Sequence, residues 1–114
     1  MEWNHSLVTT IAATLVSGLF AVAAAINLSG RGTVKQDFAR WGYPAGFNLV
    51  CGGLELIGAV LLFVHTTRLW GLGLLAAIMA GVLATLARNK EPLRHFAPAL
   101  VFSALLAVVG AAYV

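Results

Sequence analysis

The carboxyl group of Glu55 lies about halfway along a long apolar segment of this 114-residue chain. An ionised carboxylate within the hydrocarbon of a membrane costs several kcal/mol unless it is paired or hydrated, so such residues are functional candidates by default. Glu55 is therefore interpreted as a proton relay, a general acid or base, or an anchor for a ligand. The structural alternative is a protonated carboxyl that forms a hydrogen bond between helices, and both interpretations stay open.

Other polar side chains are spaced to share a cavity with Glu55. Asn48 and Cys51 lie on the same face of a helix through Glu55, at intervals of three or four residues. Asn27, near the end of the preceding apolar segment, is interpreted as a helix-end cap or as a partner of the carboxyl. With Tyr43, which falls beside a predicted membrane interface, these residues are the candidate ligand-binding set, and Glu55 is the candidate catalytic residue.

The sequence contains no motif that holds a metal ion or a common cofactor. A single cysteine excludes an internal disulfide, and no Cys/His cluster, phosphate loop or Gly-x-Ser-x-Gly nucleophile is present. His5 and His65, predicted on one side of the membrane, are weak candidates for haem ligands, but interfacial histidines need no such role. We predict no metal and no cofactor, and leave open whether a quinone or lipid binds and whether the chain is an enzyme.

Four apolar segments must position these residues. Hydrophobic residues make up 61% of the chain and charged residues 10%, against about 25% charged in soluble domains. A helix crosses a bilayer with about 20 apolar residues, and the chain has four such segments, residues 7–28, 45–64, 69–87 and 96–114. We predict an all-α integral membrane protein, a four-transmembrane-helix antiparallel bundle that forms one domain over residues 1–114.

A short amphipathic helix is predicted between the first two spans. Val34, Phe38 and Trp41 recur at the spacing of one helical face, which is typical of a helix that lies on the membrane or covers a bundle. Thr33 and Gln36 have the spacing of a capping box at its start. The sequence therefore places an aromatic helix over one end of the bundle.

Basic residues are concentrated in two of the three connections between spans. Six of the seven lie there, and Arg68 alone lies on the opposite side. The positive-inside rule then places both basic connections in the cytoplasm and both termini outside. No run of Lys and Arg is present, so nucleic acid is excluded as a partner, and membrane lipid is the expected surrounding.

Small residues repeat along the third span. Gly73, Ala77, Gly81 and Thr85 follow one another at intervals of four residues. Stripes of this kind allow membrane helices to approach closely, so these residues are predicted to form a helix-packing face. A homo-oligomer or another protein in the membrane would use the same kind of face.

Three stretches resemble the DoxX-like family of small four-helix bacterial membrane proteins. They read Phe38-Ala-Arg-Trp-Gly-Tyr-Pro44, Gly53-Leu-Glu-Leu-Ile-Gly-Ala-Val-Leu-Leu62 and Thr67-Arg-Leu69. Family members often have a lysine near the end of the first helix, where this chain has Asn27-Leu28. They also often have a histidine near the end of the third helix, close to Leu86 here. The resemblance implies the bacterial cytoplasmic (inner) membrane and a helix 2 glutamate without its lysine partner.

The function that the resemblance implies is that of a membrane subunit or accessory protein of an oxidoreductase or redox complex. Such a subunit leaves the cofactors to its partner, in agreement with the missing cofactor motifs. The alternative is an autonomous protein that binds or converts a quinone, isoprenoid or lipid in a cavity, with Glu55 as acid or base. A small-molecule transporter is less favoured, because small multidrug exporters have their glutamate in helix 1, where this chain has none.

Overall fold

The computed structural model describes the backbone of residues 2–113 and the side chains of residues 7–112. This part of the chain is helical and contains no strand. Its elements are α1 (Glu2–Ser29), α2 (Val34–Arg40), α3 (Phe47–Phe63), a 3₁₀ turn (His65–Thr67), α4 (Arg68–Arg88) and α5 (Leu93–Tyr113).

Three stretches, Leu7–Ser29, His65–Arg88 and Leu93–Ala112, are long and apolar enough to cross a membrane. The apolar α3 is shorter, with 17 residues, than the predicted second span. It begins after Gly46, which has a left-handed backbone with φ of 86°. It ends before Val64, whose extended backbone stops the helix and leads into the 3₁₀ turn. Outward-facing Leu, Val and Ile side chains such as Leu15, 64% exposed, suit a hydrocarbon solvent.

The short helix predicted from the aromatic pattern is confirmed as α2. The expected capping box at its start is wrong. Thr33 makes no side-chain hydrogen bond to the backbone, because its hydroxyl donates to the carboxylate of Asp37 at 3.0 Å. The first turn of α2 is therefore bridged by a hydrogen bond between two side chains, and no side chain caps its backbone N–H groups.

Helices α1 and α4 each contact both α3 and α5, and α2 lies against α3. The interior of this arrangement is apolar, with Phe20, Leu62, Leu75 and Val109 fully buried. The ring of Phe20 meets that of Phe102 edge-on at 4.8 Å. This core lies to one side of the polar group around Glu55 and holds the helices that position it.

The closest helix approaches are made by glycines, but the structure uses a different face of α4 from the predicted one. A Cβ at Gly71 would lie 2.7 Å from the Cα of Leu62, so α4 meets the end of α3 through backbone atoms. This approach sets the rotation of α4 and turns Gly71, Leu75 and Met79 inward. Of the predicted stripe, Thr85 is buried, whereas three members are exposed: Gly73, Ala77 and Gly81.

Candidate functional site

The carboxyl group of Glu55 is buried between α1 and α3, with 4% of the residue exposed. The side-chain amide of Asn27 donates to its Oε1 at 3.1 Å. The amide of Asn48 in turn donates to the backbone carbonyl of Asn27 at 2.8 Å. That carbonyl lies in the last turn of α1, where carbonyls lack partners within the helix, and it also accepts from the backbone N–H of Gly30 at 3.3 Å. Two residues on one face of α3 thus bind the C-terminal end of α1. Asn48 donates to its backbone, and Glu55 accepts from the side chain of Asn27.

A cavity of about 230 Å³ borders Glu55. We call it the Glu55 cavity. It lies under α2, and α1, α3, α4 and α5 all contribute to its wall. Its polar lining comes from Asn27, Asp37, Glu55 and His95, and most other lining side chains are apolar or aromatic. An apolar pocket with few convergent polar groups is the usual form of a ligand site.

A second cavity of about 210 Å³ lies between α3 and α4, under the segment that joins α2 to α3. We call it the aromatic cleft, because Phe38, Trp41, Tyr43 and Phe47 form its wall. The rings of Tyr43 and Phe47 stack with centroids 4.4 Å apart. The Thr85 hydroxyl donates to the carbonyl of Gly81, so Tyr43 donates its hydroxyl proton to Thr85 at 2.6 Å.

The two cavities are neighbours that share part of their wall. Phe38, Trp41 and Cys51 line both. A ligand with a polar end beside Glu55 and an apolar body has a continuous path of apolar and aromatic side chains along this wall. The half-buried Cys51 faces both spaces and is the chain's one cysteine.

The connection between α4 and α5 fastens α2 over the Glu55 cavity through Glu91. Its carboxylate accepts hydrogen bonds from the guanidinium of Arg40 and from the indole Nε1 of Trp41 at 3.0 Å. The hydrogen bond from Arg40, and then that from Trp41, hold the pKa of Glu91 below its usual range. Arg40 also pairs with Asp37 at 2.9 Å, and Nδ1 of His95 lies 3.6 Å from Oε1 of Glu91.

Glu91 was not among the residues singled out from the sequence. The signal for it was its charge, since it is the one acid among the basic residues Arg88, Lys90 and Arg94. Its contact with Arg40 also brings both basic connections to the same end of the molecule.

Comparison with known families decides the identity of the chain. A model of the DoxX-like family matches residues 10–109. The chain belongs to the DoxX-like family. The matched region includes α2, Glu55 and Glu91. Neither the comparison with curated proteins nor that with solved structures gave a match.

In this DoxX-like protein, α2 has few restraints apart from Glu91. It has no buried residue, and glycines with left-handed backbones flank it, namely Gly30, Gly32, Gly42 and Gly46. Glycine adopts such backbones without steric cost. The helix therefore covers the cavity through its side chains and a few contacts, while its two flanking segments carry the sharp turns.

The histidine pair considered for haem stays a prediction, because the side chain of His5 lies outside the described residues. His65 is exposed in the 3₁₀ turn, with Nδ1 3.5 Å from a guanidinium nitrogen of Arg68. Within residues 7–112, no group of three or more His, Cys, Asp or Glu side chains is arranged to hold a metal ion.

Arg68 is a buried cation that the sequence did not mark as special. It is 3% exposed and donates to the carbonyls of Leu62 at 2.9 Å and Phe63 at 3.1 Å. These carbonyls end α3, where a positive charge is favourable. Arg68 therefore caps the C-terminal end of α3 in the DoxX-like fold. It lies at the end of the molecule away from Glu55.

Proposed function

We propose that this DoxX-like protein binds a mainly apolar ligand, such as a quinone, an isoprenoid or another lipid, with its polar end beside Glu55. The observation that carries the proposal is a buried carboxyl group on the wall of an otherwise largely apolar cavity. Oε1 of Glu55 accepts from Asn27, and Oε2 has no hydrogen-bond partner in the described part of the chain. A carboxylate oxygen beside a largely apolar cavity is stabilised by a ligand that donates a hydrogen bond to it.

The same arrangement gives Glu55 a chemical role. Asn27 orients the carboxyl through Oε1, and Oε2 is left to accept a proton from, or return one to, a bound group within hydrogen-bond reach. Oε2 is the proposed contact atom in both cases. It accepts a hydrogen bond if the chain only binds its ligand and transfers a proton if the chain converts it. Tyr43, Asn48 and Cys51 support the site: Tyr43 and Cys51 line the walls, and Asn48 holds the end of α1.

The first test is purification in native lipid particles, followed by mass spectrometry of bound small molecules and an absorption spectrum. The proposal expects an apolar molecule retained in stoichiometric amount. Ala99→Leu fills the cavity wall from α5 and should expel it. Ala97→Leu is the matched control, because Ala97 is exposed on the same helix. Equal retention of the molecule by both variants would contradict the proposal. So would a preparation of the unaltered protein that contains no bound apolar molecule.

The proposed setting is the bacterial cytoplasmic membrane, crossed by α1, α3, α4 and α5 as an antiparallel bundle. The 17 residues of α3 span about 25 Å at about 1.5 Å per residue, slightly less than a hydrocarbon core of about 30 Å. Both termini then lie outside, because the two basic connections lie at one end. Phosphatase fusions after residue 114 should be active, and fusions within residues 88–92 inactive.

A second candidate function is that of an accessory subunit of a membrane redox complex. The outward-facing small residues Gly73, Ala77 and Gly81 favour it, since such a face suits close contact with another membrane helix. Gly73→Leu should release a co-purifying partner without unfolding the chain, because nothing lies within 4 Å of the new Cβ. Gly18→Leu, equally open on α1, is the control. A second copy of this chain as the released partner would instead indicate a homo-oligomer.

A further inference from the structure

We propose that the ligand of the Glu55 cavity carries a positive charge, as a protonated amine on an apolar body. This inference rests on the proposed function and names the chemical class of its ligand. The charged side chains that line the cavity are Asp37 and Glu55, and no lysine or arginine lines it or the aromatic cleft within the described residues. An anionic head group would therefore meet like charge without a compensating cation.

The charge balance at the mouth of the cavity points the same way. Arg40 is shared between the carboxylates of Asp37 and Glu91, so one positive charge meets two negative ones. His95 is the further titratable group beside them. The carboxyl groups that line the cavity itself are those of Asp37 and Glu55, and the other basic residues of the two connections, although at the same end of the molecule, do not line it. Low-dielectric walls strengthen the resulting attraction for a cation.

The atoms available in the cavity wall also favour a ligand whose polar group donates hydrogen bonds over one whose polar group only accepts them. Oε2 of Glu55 lacks a partner among the described residues and belongs to a residue that is 4% exposed. The amide of Asn27 and the indole nitrogen of Trp41 already donate to Glu55 and Glu91. When Glu55 is ionised, Oε2 is an acceptor, and a neutral quinone offers it only acceptor oxygens. An ammonium group offers up to three donors and forms a charge-assisted hydrogen bond there.

The aromatic wall gives a cation a second kind of partner. Phe38 and Trp41 line both cavities, and Phe102 lines the Glu55 cavity from α5. The faces of aromatic rings attract organic cations, most strongly where water is excluded. The ring cluster of Phe38, Tyr43 and Phe47 continues into the aromatic cleft, where it accepts the apolar body.

Protection of Cys51 tests the inference, since the natural cysteine lines both cavities. The protein is placed in discs of neutral lipid and labelled with N-ethylmaleimide in the presence of three probes of one shape. At neutral pH phenylbutylamine is a cation, phenylbutanol is neutral and phenylbutyrate is an anion. The amine should protect Cys51 at a concentration about tenfold lower than the alcohol does, after correction for membrane partitioning, and the butyrate should not protect. Glu55→Gln should abolish the advantage of the amine.

Two controls separate this inference from the proposed function. A chain with Cys51→Ala and Leu69→Cys has its thiol on the lipid-exposed face of α4 and should show no protection. If the alcohol protects Cys51 as well as the amine does, the inference of a cation is overturned and ligand binding stands. If none of the probes protects, both are overturned. Because the amine-to-alcohol ratio is measured on the unaltered chain, the result does not depend on the folding of Glu55→Gln.

Discussion

The indole nitrogen of Trp41 lies 3.0 Å from Oε1 of Glu91 and donates a hydrogen bond to it. The two residues are fifty positions apart in the chain, and their contact ties α2 to the connection that precedes α5. The same carboxylate accepts a hydrogen bond from Arg40, which precedes Trp41 and is the last residue of α2. A single acidic residue in the connection between α4 and α5 therefore holds α2, a helix without buried residues, over the Glu55 cavity.

Glu91→Gln should loosen α2 over the cavity. The amide keeps the shape of the side chain but loses the charge that strengthens the hydrogen bonds from Arg40 and Trp41. These groups lie near solvent, so the effect is modest. We expect labelling of Cys51 by N-ethylmaleimide to become about two- to fivefold faster.

Lys35→Gln is the control for Glu91→Gln, because Lys35 is an exposed charged residue of the same helix and makes no contact with Glu91. It should leave the labelling rate unchanged. Equal rates in all three proteins would mean that Glu91 does not determine access to Cys51.

The contact between α2 and Glu91 should also open in acid. Because the pKa of Glu91 is lowered when α2 is in place, the contact contributes fully above the usual glutamate pKa of about 4.3. Its contribution is lost as the pH falls through the lowered value. Fluorescence of Trp41, in a chain with Trp3→Phe, Trp70→Phe and His95→Gln, should stay constant near neutral pH and change only in acid. The transition should disappear when Glu91→Gln is added; a transition that persists would belong to another group.

Asn27 and Glu55 should be energetically coupled. Asn27→Ala leaves a buried carboxyl without its donor and is expected to cost about 1–3 kcal/mol of unfolding free energy. A double-mutant cycle with Glu55→Ala should give a coupling of about 1 kcal/mol, in the range measured for hydrogen bonds in membrane proteins. The same cycle between Glu55 and Thr67, in the 3₁₀ turn beyond the C-terminal end of α3, should give none. Equal couplings in the two cycles would show that the bond at 3.1 Å contributes nothing specific.

Gly71 and Gly73 should respond in opposite ways to the same substitution. Gly71→Ala inserts a methyl group against the backbone of Leu62, which cannot move without displacing α3, and should cost about 1–3 kcal/mol. Gly73→Ala places its methyl group in open space and should cost nothing, since alanine is the better helix former. Resistance to unfolding by a denaturing detergent measures both. If Gly73→Ala is the more damaging, its face is covered by another chain.

Much of the helical framework was predictable from the sequence, because hydrophobicity and length decide where a chain can cross a membrane. The long helices and α2 were anticipated to within a few residues, except at the start of α1, which reaches Glu2. The shortening of α3 was not anticipated, because it depends on the backbones of Gly46 and Val64. Asn27 was named as a partner of Glu55, since few polar groups in apolar segments were available to it.

The rest depended on distances that a linear pattern does not contain. The rotation of α4 is set by the contact of Gly71 with Leu62, and the regular spacing of Gly73, Ala77 and Gly81 gave a different face. Glu91 was overlooked because its role depends on Arg40 and Trp41, which only the folded chain brings near. The capping box failed because Asp37 competes for the Thr33 hydroxyl.

The position of Glu91 late in the chain has a consequence for biogenesis. Chains are made from the N-terminus, so α2 is complete well before the residue that fastens it has been synthesised. Until α4 has been inserted and Glu91 follows, the space beside Glu55 is uncovered on its α2 side. If the proposed ligand is present in the membrane during insertion, it can therefore enter before the site is enclosed. The protein would then contain its ligand from the time that it folds.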